Sequence, residues 1–159
     1  MAQHTSTVVW QRDHAAFTDH RYSRRHTWQF DGGAVVSASS SPHVVPLPFS
    51  DPAGVDPEEA FVASLSSCHM LWFLDFAARA GWVVESYRDE AVGVLARNEQ
   101  GQQAMTRVTL HPEVQFAGHQ PTPQQLQDLH HRAHASCYLA NSVKTEVLCE
   151  PILATEPQP

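Results

Sequence analysis

Apolar and polar positions change period several times along this chain, and each change marks an element. Thr5 to Trp10 is β-branched and aromatic and reads as a strand. A second follows over Arg24–Phe30, and Asp31-Gly32-Gly33 supplies the turn into a third at Ala34–Ser37. From residue 39 to 56 the periodicity disappears among serines, prolines and Gly54. That leaves a loop of about 15 to 19 residues, a length that in compact domains is usually functional.

At residue 57 the period turns helical. Asp56 suits an N-cap, Pro57 the first helical position, and Glu58 and Glu59 complement the dipole. Gly81 provides the left-handed cap after Arg79-Ala80. Phe61, Leu65, Cys68, Trp72 and Phe76 fall on one stripe, and other apolar residues surround it. A central helix over 57–80, buried over much of its circumference, is predicted. Trp82–Ala96 and Ala104–Phe116 then alternate as two long strands of a hairpin spanning 82–117, turning at Asn98-Glu99-Gln100-Gly101. Thr122-Pro123-Gln124-Gln125 opens a second helix, 122–137, with a capping box and the stripe Leu126, Leu129, Ala133 and Cys137. A last strand at 143–150 leads into a Pro-rich tail expected to fray. The order βββ-α-ββ-α-β gives a single α+β domain with an N-terminal hairpin region at 1–38.

Composition narrows the function. Of 159 residues 42% are hydrophobic, enough for a core, and only 17% are charged, so part of the surface is expected to meet another subunit. A net charge of -7 argues against nucleic acid or an anionic membrane as partner. Met1 to Ser6 has no basic region leading into an apolar one, and no apolar run approaches the roughly 20 residues that span a bilayer. The expected location is the cytoplasm. Three cysteines without a secretion signal make a poor disulfide framework, so each thiol needs an explanation by chemistry or by burial.

Cys68 lies mid-helix among Ser64, Ser66 and Ser67, small neighbours that let a reagent approach the sulfur. Cys137 ends the second helix. Taken alone, each reads more readily as an inert core thiol than as a reactive one. Cys149, beside Glu150-Pro151 with no polar companions, reads as core.

In combination these features resemble the OsmC/Ohr family of hydroperoxide reductases. The resemblance is carried by Asp56-Pro57-Glu58-Glu59 ahead of the helical Cys68, by Ala78-Arg79-Ala80-Gly81 and the strand after it, and by Cys137 before Asn141-Ser142-Val143-Lys144-Thr145-Glu146-Val147. It covers about Trp10 to Pro151. The segments Tyr22 to Trp28 and Ser39 to Pro46 look like an OsmC-like branch.

The resemblance implies an intertwined homodimer, with antiparallel sheets wrapped around long central helices and active sites at the interface. It also implies roles. Cys68 is the peroxidatic cysteine and Cys137 the resolving one. Glu58 is the carboxylate of the Pro-Glu motif, and it orients an arginine that favours the thiolate and binds peroxide oxygens. Arg24 is the first choice for that arginine; Arg25 alternates to the other face, and Arg21 is the remaining candidate. Glu58 and Cys68 are ten residues apart on one helix, about 15 Å of rise, so either the arginine spans part of the gap or, the favoured expectation, Glu58 of one subunit serves the Cys68 of the other. Peroxide attack leaves a sulfenic acid, Cys137 closes a disulfide, and an external dithiol, lipoyl-type in some relatives, resets the pair. Apolar Phe61, Trp72 and Phe76 favour organic peroxides. No cofactor or metal is expected. Tyr138 stands where Ohr-type members carry proline, which bears on how the disulfide closes.

Other readings remain. His130, His134 and Cys137 at i, i+4 and i+7 could hold zinc, in a ligand- or metal-binding dimer without catalysis, although a surface helix rich in His explains them better. A Cys-His hydrolase is weaker, because His69 diverges by about 100° from Cys68 on a helix.

Overall fold

The computed structural model describes residues 1–152; the expected fraying of the Pro-rich tail falls mainly outside them. The chain divides into two compact units, one of Met1–Ala60 and one from Phe61 onward.

In the first unit β1 (Ser6–Val9), β2 (His26–Phe30) and β3 (Val35–Ala38) form an antiparallel sheet in that order. Gly33, at φ 86°, makes the β2–β3 turn. β2 starts at His26, later than the predicted Arg24, because the Arg24 amide donates to Phe49 in the long loop (2.8 Å). That loop is anchored by Ser39, whose hydroxyl accepts from the Asp51 amide (2.9 Å) and whose amide donates to the Val55 carbonyl (3.1 Å). A Cβ at Gly54 would stand 2.9 Å from the Ala38 carbonyl carbon, so only glycine lets the loop close on β3.

Helix α1 (Pro57–Arg79) begins with a reciprocal cap: the Glu59 amide donates to Asp56 Oδ1 (2.8 Å) and the Asp56 amide to Glu59 Oε2 (3.2 Å). Its buried line is Leu65, His69, Phe73 and Ala77. The predicted stripe through Cys68, Trp72 and Phe76 lies alongside it and is only half-buried. A hydrophobicity pattern misses this shift because a histidine holds a core position. By length and composition α1 could cross a membrane, contrary to the expectation from sequence; a core helix meets the same test.

The two long strands predicted after α1 are four. β4 (Val83–Asp89) pairs with β7 (Pro112–Ala117), and β5 (Val92–Arg97) with β6 (Gln103–Leu110). The break falls at Asp89 and His111. There the Asp89 carboxylate accepts from the His111 amide (2.7 Å) and from the Ser66 hydroxyl of α1, a tie that leaves the hairpin as two sheets. β8 (Glu146–Cys149) joins β6 in parallel, so this sheet is mixed.

Helix α2 (Pro123–Ser136) carries the expected capping box at Thr122 and Gln125. Phe73 and Ala77 pack with Val114 of β7 and with Leu129 and Ala133 of α2. Leu65 packs with Val108 and Leu110 of β6 and, at the margin, Val147 and Cys149 of β8. Both sheets of this unit thus bury their inner faces against α1.

Candidate active site

Cys68 lies on the half-buried side of α1 in a cleft of about 540 Å³, walled by Leu71, Trp72, Tyr138 and Leu139. The helical serines clear the approach. Ser64 donates to the Phe61 carbonyl (2.8 Å) and Ser67 to the Ser64 carbonyl (3.2 Å), so both hydroxyls are turned onto the backbone. Trp72 stacks on Phe76 and meets Tyr138 edge-on, each at 5.5 Å between ring centroids. Tyr138, in the place of the proline of Ohr-type members, is therefore a wall of the cleft.

Cys137 follows the last turn of α2, where its amide donates to His134 and its carbonyl accepts from Asn141. Cys137 is 1% exposed, and its sulfur accepts from the Ala140 amide (3.4 Å). Burial first, then the neighbouring Cys68 side chain, push the Cys137 thiol up to about 11. It is a thiol at neutral pH. Both cysteines are free.

Arg24 and Glu58 line a second cavity, of about 430 Å³, within the first unit, together with Val8, Trp10, Phe17 and Tyr22. The Arg24 guanidinium lies over the Tyr22 ring (3.9 Å) and donates to the His20 carbonyl (2.7 Å) and that of Tyr22. No Arg24–Glu58 ion pair and no hydrogen bond of the Glu58 carboxylate occurs among the described residues, so the bidentate pair expected from sequence is not formed here. Arg25 is paired outward with Asp51 (2.8 Å), and Arg21 is exposed.

The histidines are arranged differently from expectation. His130 is not on a surface helix face shared with His134 and Cys137. It is 3% exposed, and its Nδ1 lies 3.0 Å from His69 Nε2, itself 1% exposed. Cys149 is not without polar companions, since its sulfur is 3.6 Å from the same His69 Nε2. Burial lowers His69 to about 4 and His130 to about 3, and pushes the Cys149 thiol up to about 12. Nothing in the local sequence pointed to this cluster, because its members come from α1, α2 and β8.

Residues 50–151 match the family described as OsmC-like protein, and the chain belongs to it. Its fold is the OsmC-like α+β fold. An OsmC-like protein of unknown function from Vibrio cholerae is 57% identical, with a TM-score of 0.94 over 96% of this chain and 100% of that one. More distant structures share the fold. An organic hydroperoxide resistance protein from Elizabethkingia anophelis is 16% identical (TM-score 0.69; 95% and 94% covered). The organic hydroperoxide resistance protein OhrB of Bacillus subtilis is 17% identical (TM-score 0.69; 95% and 98% covered). No curated protein sequence matches the chain.

Proposed function

We propose that this protein is a thiol peroxidase that reduces organic hydroperoxides, with Cys68 as nucleophile and Cys137 as resolving thiol. The observation that carries the reading is the Cys68–Cys137 pair: an accessible sulfur in an apolar cleft, neighbouring a buried thiol that stays protonated. The Cys68 thiolate attacks one peroxide oxygen, the O–O bond breaks, and the alkoxide leaves as the alcohol after taking a proton. Cys68 is then a sulfenic acid. Cys137 attacks that sulfur, an S–S bond forms, and the hydroxyl leaves as water with the Cys137 proton. A cytoplasmic dithiol, lipoyl-type by analogy with the family, reduces the disulfide and is itself oxidised. The apolar walls Leu71, Trp72, Tyr138 and Leu139 favour an alkyl peroxide over hydrogen peroxide. In this reading the working unit is a homodimer, in which Arg24 supplies the guanidinium and Glu58 of one subunit serves Cys68 of the other.

The test is consumption of an organic hydroperoxide with a dithiol reductant by wild type and the three single Cys→Ser variants. Cys68→Ser should fall to background. Cys137→Ser should complete one turnover and accumulate a sulfenic acid that a cyclic dione traps. Full activity of Cys68→Ser, or loss of the first turnover only in Cys149→Ser, would reject the assignment.

A further inference from the structure

The Cys68–Cys137 chemistry leaves unused a second cluster of ligand-bearing side chains, within the unit from Phe61 onward. His69 of α1, His130 of α2 and Cys149 of β8 each bring one atom to a common point, all within 4.8 Å of one another. Both imidazoles are almost wholly buried, and Cys149 is half-buried. The separations are 3.0 Å from His69 Nε2 to His130 Nδ1 and 3.6 Å from His69 Nε2 to Cys149 Sγ. Around a tetrahedral zinc, bond lengths near 2.0 Å to nitrogen and 2.3 Å to sulfur put neighbouring ligands about 3.3 Å (N to N) and about 3.6 Å (N to S) apart. The observed spacings match the second and fall within a few tenths of an ångström of the first.

The geometry points to a binding site for a divalent ion of the zinc class, held by His69 Nε2, His130 Nδ1 and Cys149 Sγ, with the fourth tetrahedral position open.

Three arguments favour a metal over a hydrogen-bonded histidine pair. The pair alone makes a single hydrogen bond, between His69 Nε2 and His130 Nδ1. An ion held by the same two nitrogens and by Cys149 Sγ makes three bonds in that enclosure. Next, three separate elements contribute one ligand each, and two of the rings are held by packing. His130 stacks on Phe73 at 4.3 Å between centroids, and the His69 and His130 rings lie 11° from parallel. Last, the charges suit the ion. Binding releases the Cys149 proton, and the thiolate with the fixed Asp89 carboxylate, hydrogen-bonded to Ser66 and the His111 amide, would neutralise two positive charges. Borderline nitrogen and sulfur donors select zinc over magnesium or calcium.

The experiment is cobalt and zinc titration of chelator-treated, full-length protein kept reduced. Two variants are compared with wild type: Cys149→Ser, and the double variant Cys68→Ser/Cys137→Ser. The expected result is one Co²⁺ per chain, with tetrahedral d–d bands and a thiolate-to-cobalt charge-transfer band. Zn²⁺ should displace the cobalt. Cys149→Ser should lose the charge-transfer band, and the double variant should keep it. X-ray absorption on the zinc-loaded double variant, which retains Cys149 whatever the folding of Cys149→Ser, should show one sulfur and two imidazoles in the first shell. A band that survives in Cys149→Ser, a shell without sulfur, or no binding by wild type at concentrations that saturate a two-histidine peptide would each overturn the proposal.

Discussion

Cys68 and His69 are neighbours on one helix and live in different chemistry. One residue along α1 turns the side chain by about 100°, enough to move from an open cleft to a closed core. Cys68 faces a cavity that a small organic molecule can enter, with a protonated thiol behind it. His69 faces His130 and Cys149, and the three ligand atoms lie within 4.8 Å of one another. The lesson is that access decides which chemistry a cysteine can take part in. Cys68 opens on a cleft that reagents can enter from solution, and Cys149, half-buried, sits against a buried imidazole.

The contrast can be attacked directly, and thiol labelling should give the largest effect. With native protein at neutral pH, an alkylating reagent should modify Cys68 at least about 100-fold faster than Cys137 or Cys149, because those two are raised to about 11 and about 12 and a thiolate is required. Peptide mass spectrometry over time reads this, and equal rates would erase the distinction. Next, Phe73 closes the core side, stacking on His130 and meeting Tyr87 at 5.6 Å. Phe73→Ala should destabilise the fold by about 3–5 kcal/mol in denaturant titration and speed the labelling of Cys149.

Smaller effects should come from the histidines, in metal-free protein. His130→Leu strips His69 Nε2 of its partner and should cost about 1–3 kcal/mol. Acid acts on the same pair. His69 and His130 are held below the ordinary 6.5, to about 4 and about 3, mainly by burial. Between those values and 6.5 the unfolded chain binds protons that the folded one refuses, so stability should fall as pH drops below 6.5. The slope should reach at most about 1.4 kcal/mol per pH unit for each histidine. Asp89 opposes this at His69 and His134 reinforces it. A Tm that is flat from pH 7 to 4.5 would contradict the burial described.

The fold class was legible because its signals are local. Asp56, Pro57, Thr122 and Gln125 mark helix starts through hydrogen bonds made within three residues. What was hidden depends on distant partners. The hairpin breaks into two sheets because Asp89 binds His111 and Ser66, residues that its own neighbourhood does not reveal. The core line of α1 passes through His69, which an apolar periodicity excludes. At the candidate site, the nearness of Cys137 to Cys68 came from resemblance, and in the structure Cys68 is a neighbour that helps to raise the Cys137 thiol. The Arg24–Glu58 pair was expected and is not formed within the chain; Arg24 spends its donors on the His20 and Tyr22 carbonyls. The convergence of His69, His130 and Cys149 spans 80 residues and has no sequence signature.

Trp72 gives the cleft an optical consequence. Its indole is held between Phe76 and Tyr138 in the wall that also carries Cys68. A change at that sulfur, from thiol to sulfenic acid to disulfide, alters the quencher beside the indole. The emission of this tryptophan should therefore report turnover in real time, without a label. Trp72→Phe would silence the signal and show which of the four tryptophans was speaking.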